Sequence, residues 1–164
     1  SKYWENDIKK WKYSGLALVD EVNSLKPRAV LDVGCGYNEF RGKIDNLIGI
    51  DPYNDQADLQ VSTLEYRTNQ KFDVIMCLGS VNFGSRDKII AEMGRCVDLL
   101  EDGGTMFFRV NPGVQHDKPE AKWIEFFAWN VPFIIELSEI FNLKILDIRD
   151  DSNQRKYFIY RKLK

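Results

Sequence analysis

Leu31-Asp32-Val33-Gly34-Cys35-Gly36-Tyr37-Asn38-Glu39 is the stretch on which the reading of this chain turns. The β-rich apolar run Ala29–Val33 follows Lys26-Pro27 and stops at Gly34. Two glycines separated by one residue let the backbone turn tightly and let a ligand approach with no Cβ in the way. A second apolar run, Leu47-Ile48-Gly49-Ile50, stops at Asp51, fifteen residues after Gly36. Strand, glycine loop, strand and acid in this order open a doubly wound α/β sheet. In such sheets ligands gather at the carboxyl ends of the strands, where the winding reverses.

Further runs follow at Asp58–Val61 (the weakest), Phe72–Leu78, Thr105–Val110, Ile145–Arg149 and Tyr157–Tyr160. They are near-continuously apolar rather than alternating, which predicts strands covered on both faces, as in a parallel sheet. Helical stripes lie between and before them. Trp4, Ile8, Trp11, Leu18, Val22 and Leu25 form one, within an N-terminal helix over Tyr3–Leu25. Ile89, Ile90, Met93, Val97 and Leu100 form a second, with Glu101-Asp102-Gly103-Gly104 as its stop. A third starts near Pro132 and ends at Asn142. The last two strands are joined only by Asp150–Lys156, too short for a parallel crossover, so they form an antiparallel pair at one edge. The expected fold is a Rossmann-like, doubly wound, mostly parallel sheet of seven strands with an antiparallel edge strand and helices on both faces. It is a single domain over 1–164, with 1–26 as a helical segment or lid and 27–164 as the core.

Composition excludes several classes. The chain has 164 residues, 44% hydrophobic and 29% charged, with a net charge of −2, which suits one globular domain and not a disordered chain. Neither half carries an excess of basic residues, so nothing points to nucleic acid as a partner. Cys35, Cys77 and Cys96 are odd in number and far apart, which predicts a reducing compartment. No run is long and apolar enough for a membrane helix, and Ser1-Lys2-Tyr3-Trp4 has no signal-peptide character. The expectation is a cytoplasmic protein that makes no membrane contact.

An acid ending the second strand is placed to accept hydrogen bonds from the two hydroxyls of a ribose. A dinucleotide site would want a third glycine three positions after Gly36 and a helix N-terminus for the pyrophosphate. That position is Glu39, whose carboxylate in a first helical turn would repel phosphate. The residues therefore call for a ligand with a ribose and no pyrophosphate, a description that S-adenosylmethionine fits. The match goes further. Leu31–Gly36, Ile48-Gly49-Ile50-Asp51, Phe72-Asp73-Val74-Ile75 and Leu100-Glu101-Asp102-Gly103-Gly104 resemble, in order and spacing, four signature segments of class I S-adenosylmethionine-dependent methyltransferases.

The resemblance implies that Asp32, Gly34, Cys35 and Gly36 surround the methionine part of S-adenosyl-L-methionine. It implies that Asp51 binds the ribose, that Pro52 sits beside the adenine, and that Ser62, Thr63 and Leu64 contact the ring. Leu78, Gly79 and Ser80 are implied where the cofactor meets the incoming acceptor. Two features depart from the family. Ser62-Thr63-Leu64 lacks the acid often found there, and Tyr37-Asn38 stands where many members have another glycine. The Tyr37 ring either lies against the cofactor or packs on its own loop.

Other candidates carry less. Asn82, Arg109, Asn111 and His116 lie near the expected acceptor mouth without a pattern that assigns chemistry. The single His116 and the absence of paired carboxylates after the fourth and fifth strands predict no metal. The aromatic stretch Trp123–Phe133 is either the wall of an apolar pocket or a core-covering segment. The basic end, Arg155-Lys156 and Arg161–Lys164, reads as a solvated edge. The function expected is methyl transfer to an unidentified acceptor, most simply a small molecule. The alternative is a non-catalytic cofactor-binding or regulatory subunit, with a partner protein or a second copy. A nicotinamide oxidoreductase is disfavoured by Glu39, and no catalytic side chain is assigned.

Overall fold

The computed structural model describes residues 18–78, 85–110, 129–150 and 156–163. The strands are β1 (Val30–Val33), β2 (Leu47–Ile50), β3 (Phe72–Cys77), β4 (Leu100–Val110), β5 (Leu143–Asp150) and β6 (Lys156–Lys162). The helices are α1, described over 18–24, α2 (Arg86–Leu99) and α3 (Val131–Ile140). The strands form one sheet in the order β2-β1-β3-β4-β6-β5. β1 to β4 are parallel, while β6 runs antiparallel to both of its neighbours.

Side-chain alternation along the strands builds two cores. Val30, Val74, Met76, Phe107 and Ile159 face Leu18 and Val22 of α1. Leu31, Val33, Ile75, Met106, Phe108 and Phe158 face Ile89 and Met93 of α2 and Ile134 and Leu137 of α3. The expected cover by helices on both faces is therefore present.

Local chemistry explains the helix ends. Ser85 caps α2 by accepting the Lys88 N–H at 3.2 Å, and Asn130 caps α3 by accepting the Phe133 N–H at 2.9 Å, with Pro132 in the first turn. At its far end α2 stops at Leu99, and Leu100 is already extended. The Lys162 ammonium donates to the Val97 and Leu100 carbonyls at 2.8 and 2.9 Å, satisfying acceptors that the helix end leaves open. The glycines expected to end the helix instead shape the start of β4. Gly103 takes φ +78°, and a Cβ on Gly104 would stand 2.8 Å from the Glu101 carbonyl oxygen.

Two expectations are corrected. The sheet has six strands among the described residues, not seven. Asp58–Val61 makes only one parallel bridge, Ile50 to Leu59, because Leu59 is 45% exposed between polar Asp58 and Gln60 and has no covering layer to hold it. The antiparallel strand is not the edge strand. β6 inserts between β4 and β5, so the edge strand β5 runs parallel to β4. No helix follows the glycine loop. Residues 34–46 run as successive turns, with φ positive at Gly34, Gly36, Asn38, Gly42 and Asn46, which no right-handed helix accommodates.

Candidate functional site

β2 lies on one side of β1 and β3 on the other, so the winding reverses at β1. The crevice opens above the carboxyl ends of β1 and β3. Asp32 pairs in register with Gly49 on β2 and Met76 on β3, which sets the loop after β1, Asp51 and Leu78 along the same sheet edge.

The loop after β1 is tied to β2 by its own backbone. Gly34 and Cys35 both donate to the Ile50 carbonyl, at 2.8 and 3.0 Å. Gly34 and Gly36 take φ +67° and +56°, the left-handed region that glycine enters without strain. A Cβ built on Gly36 would meet nothing within 4 Å, so the outer side of the loop is open to a ligand.

The Asp51 carboxylate bridges two loops. Oδ2 accepts the Gly36 N–H at 3.0 Å, and Oδ1 accepts the N–H groups of Tyr53 and Asn54 at 2.8 and 3.1 Å. A carboxylate offers about four acceptor sites. Three are taken by backbone, which leaves room on Oδ2 for a sugar hydroxyl. A second hydroxyl would have to share with, or displace, the Gly36 N–H.

Asp32 is buried on the α1 face, and its carboxyl is raised to about 7. Burial is the main cause, with the negative charges of Asp51 and then Glu39 adding to it. The Cys35 thiol is pushed up to about 12, by burial first and then by Asp32, Asp51 and Asp58, so it stays protonated and unreactive at neutral pH. Four acidic side chains, Asp32, Glu39, Asp51 and Asp58, thus bear on one glycine loop. With no helix N-terminus to oppose them, this field disfavours a pyrophosphate and favours a cationic ligand.

The remaining expected site residues are placed as follows. Pro52 is exposed beside Asp51. Thr63 is buried and Leu64 exposed on a separate turn, which is closed by a reciprocal pair: Ser62 Oγ donates to Glu65 Oε1 at 2.8 Å and accepts the Glu65 N–H at 3.2 Å. Leu78 is half-buried at the end of β3 and packs on the α1-face core. Gly79, Ser80, Asn82, Asn111, His116, Trp123 and most of the N-terminal helix lie outside the described residues. Among the described residues, no three His, Cys, Asp or Glu side chains form a metal-binding group, and no helix is long and apolar enough to cross a membrane.

The Tyr37 ring does not pack on its loop; it is 78% exposed. Trp129 is fully buried against Phe133, Phe158 and Phe108, with ring centroids 4.9, 5.6 and 6.2 Å away, on the sheet face opposite Asp32. Trp129 belongs to the core, and Trp123–Ala128 lie outside the described residues. Arg109 is also buried, its guanidinium 5.9 Å from the centre of the Tyr157 ring.

Sequence reasoning missed Asn38, Asp58 and Gly49. Asn38 has φ +60°, in the left-handed region that favours glycine and that asparagine tolerates better than most other residues. Its place in the glycine motif was a usable signal. Gly49 has no Cβ because one would lie 2.5 Å from Asn38 Oδ1 and 2.9 Å from Cys35 Sγ.

No protein-family model matches the chain, and no curated protein matches it. Solved structures do share its fold. The N-methyltransferase NodS from Bradyrhizobium japonicum WM9 aligns with a TM-score of 0.68 at 15% identity, covering 93% of this chain and 97% of that one. Streptomyces venezuelae DesVI gives 0.69 at 14% identity, covering 99% and 95%. The 1,6-didemethyltoxoflavin-N1-methyltransferase of Burkholderia thailandensis, solved with its substrate and S-adenosylhomocysteine, gives 0.71 at 15% identity, covering 89% and 76%. At such identity the likeness is one of fold.

Proposed function

The chain has the fold of class I S-adenosylmethionine-dependent methyltransferases, and we propose that it binds S-adenosylmethionine and directs methyl transfer to a small-molecule acceptor. One observation carries this reading. The open glycine loop at the winding reversal is locked to a ribose-competent carboxylate and ringed by acids, with no helix N-terminus for phosphate. NodS and the didemethyltoxoflavin enzyme, both methyltransferases of this fold, have been solved with S-adenosylhomocysteine.

When bound, the cofactor supplies a methyl group activated by a positive sulfonium, which an acceptor atom takes by in-line attack as the carbon–sulfur bond breaks. What this chain supplies is placement. Asp51 orients the sugar, and the Gly34–Gly36 backbone approaches without side-chain obstruction. Asp32, buried nearby, gains a reason to ionise when a cation arrives. Alignment and exclusion of water account for most of the rate such a site can give. A small acceptor suits the balanced charge of the chain, and a cytoplasmic setting suits its scattered cysteines.

Titration calorimetry tests the reading. S-adenosylhomocysteine should bind and NAD should not. Binding of NAD alone would overturn the proposal. A screen of phenols, amines and thiols for production of S-adenosylhomocysteine then separates an enzyme from a binding subunit. Turnover in any well identifies the acceptor class, whereas binding without turnover across the panel assigns the regulatory role.

A further inference from the structure

Asn38 does more than stand in for a glycine. It is 5% exposed, its N–H donates to the Cys35 carbonyl at 2.9 Å, and its own carbonyl accepts the Arg41 N–H at 3.1 Å. Its side chain reaches out of the loop after β1. Nδ2 donates to the Gln56 carbonyl at 3.2 Å and to Asp58 Oδ2 at 3.3 Å. The same Oδ2 accepts the N–H of Gly49, on β2, at 2.8 Å, and the Arg41 guanidinium lies 3.7 Å from Oδ1 of Asp58. The amide can sit only one way round. Turned over, Oδ1 would face the Asp58 carboxylate and the Gln56 carbonyl, two acceptors against a third. In the observed orientation Oδ1 lies against the bare Cα of Gly49 and has no hydrogen-bond donor.

Two clamps therefore join the loop after β1 to the loop after β2. One is Asp51 to Gly36; the other is Asn38 to Gln56 and Asp58. The first clamp uses the carboxylate oxygen that a ribose would claim. The second uses no group that a ligand would touch. The structure assigns Asn38 and Asp58 the role of positioning residues. They hold the two loops at a fixed separation, so that Asp51 can exchange the Gly36 N–H for a sugar hydroxyl without the loop drifting open. A ligand then meets a preformed cleft and spends less of its binding free energy on ordering it.

This inference rests on the proposed ribose-ligand site, and the experiment keeps the two apart. S-adenosylhomocysteine affinity is measured by calorimetry for the unaltered chain, for Asn38→Gly, for Asp58→Ala and for the double variant. Glycine keeps φ positive and removes only the amide. Asp58→Ala removes the oxygen that accepts both the Asn38 amide and the Gly49 N–H. Each single variant should weaken binding about tenfold. The double variant should be no weaker than either one, because both break the same link. Amide hydrogen exchange should quicken at Gly36 and Tyr53 and stay unchanged in β3. If the unaltered chain binds no S-adenosylhomocysteine, the site reading falls and the inference with it. If it binds, and either folded variant binds as tightly, or if losses in the double variant simply add, Asn38 and Asp58 serve stability alone and the inference is overturned.

Discussion

Replacing Asp51 with alanine separates the two tasks of its carboxylate. In the protein it accepts three backbone N–H groups at 2.8–3.1 Å, from Gly36, Tyr53 and Asn54. A hydrogen bond to a charged acceptor is worth roughly 1.5–3 kcal/mol when its loss leaves the donor unsatisfied. Tyr53 is 92% exposed, so water replaces its acceptor cheaply; the half-buried Gly36 carries most of the cost. The stability loss should be about 1–2 kcal/mol, which lowers Tm by roughly 2–8 °C for a domain of this size. Ligand affinity should suffer more, because the sugar loses its charged acceptor and the loop loses one clamp. A fall of roughly ten- to a hundredfold is expected. Asp51→Asn is the finer probe. Its carbonyl can still serve Tyr53 and Asn54, but its amide then turns a donor toward the Gly36 N–H. Tm should fall less than in the alanine variant, while affinity falls about as far. Scanning calorimetry and titration with S-adenosylhomocysteine read both quantities from one preparation. A folded Asp51→Ala protein with unchanged affinity would show that the ribose binds elsewhere.

Asp32 should leave a pH signature. Its carboxyl is raised to about 7 from 3.8, so the folded state holds a proton that the unfolded chain has released. Its contribution is therefore greatest below about pH 4 and declines as pH rises through 7, by at most about 4 kcal/mol. Asp32→Asn should flatten that decline in a denaturant series from pH 4 to 8, and an identical slope in the variant would refute the assignment. Trp129→Ala should cost about 3–5 kcal/mol by emptying the aromatic core; a folded variant with an unchanged Tm would refute that core role. Gly49→Ala should loosen the Asn38 and Cys35 packing and lower both Tm and affinity, and an unaffected variant would show that the loop yields easily.

Much of the architecture was legible because it follows from burial. Continuous apolar runs at Val30–Val33 and Phe72–Cys77 can be satisfied only by cover on both faces, and their bounds shift by one residue at most. The five residues between β5 and β6 gave the antiparallel pairing. Their length was silent on which of the two lay at the edge, since pairing of β6 with β4 depends on long-range packing. The missing strand has a physical cause: the local pattern at Asp58–Val61 has the right composition, but the cover it needs is absent. At the site, Asp32, Gly34, Gly36 and Asp51 were readable from type and spacing. The place of Asn38 in the motif signalled its backbone, but not its clamp, because that depends on where its amide ends up, eighteen and twenty residues along the chain.

The position of β6 has a consequence for synthesis. It is the last of the six strands to be made, yet it fills the gap between β4 and β5. Until it arrives, a nascent chain carrying β1 to β5 displays an open edge on β4, lined by Met106, Phe107 and Phe108. Unpaired, apolar strand edges recruit other chains. The β1–β4 part can form early, but the sheet cannot be sealed until the ribosome has delivered Phe158 and Ile159 into it. This sheet is therefore completed from the middle, and a chain stalled before residue 156 should yield an aggregating product rather than a shorter soluble one.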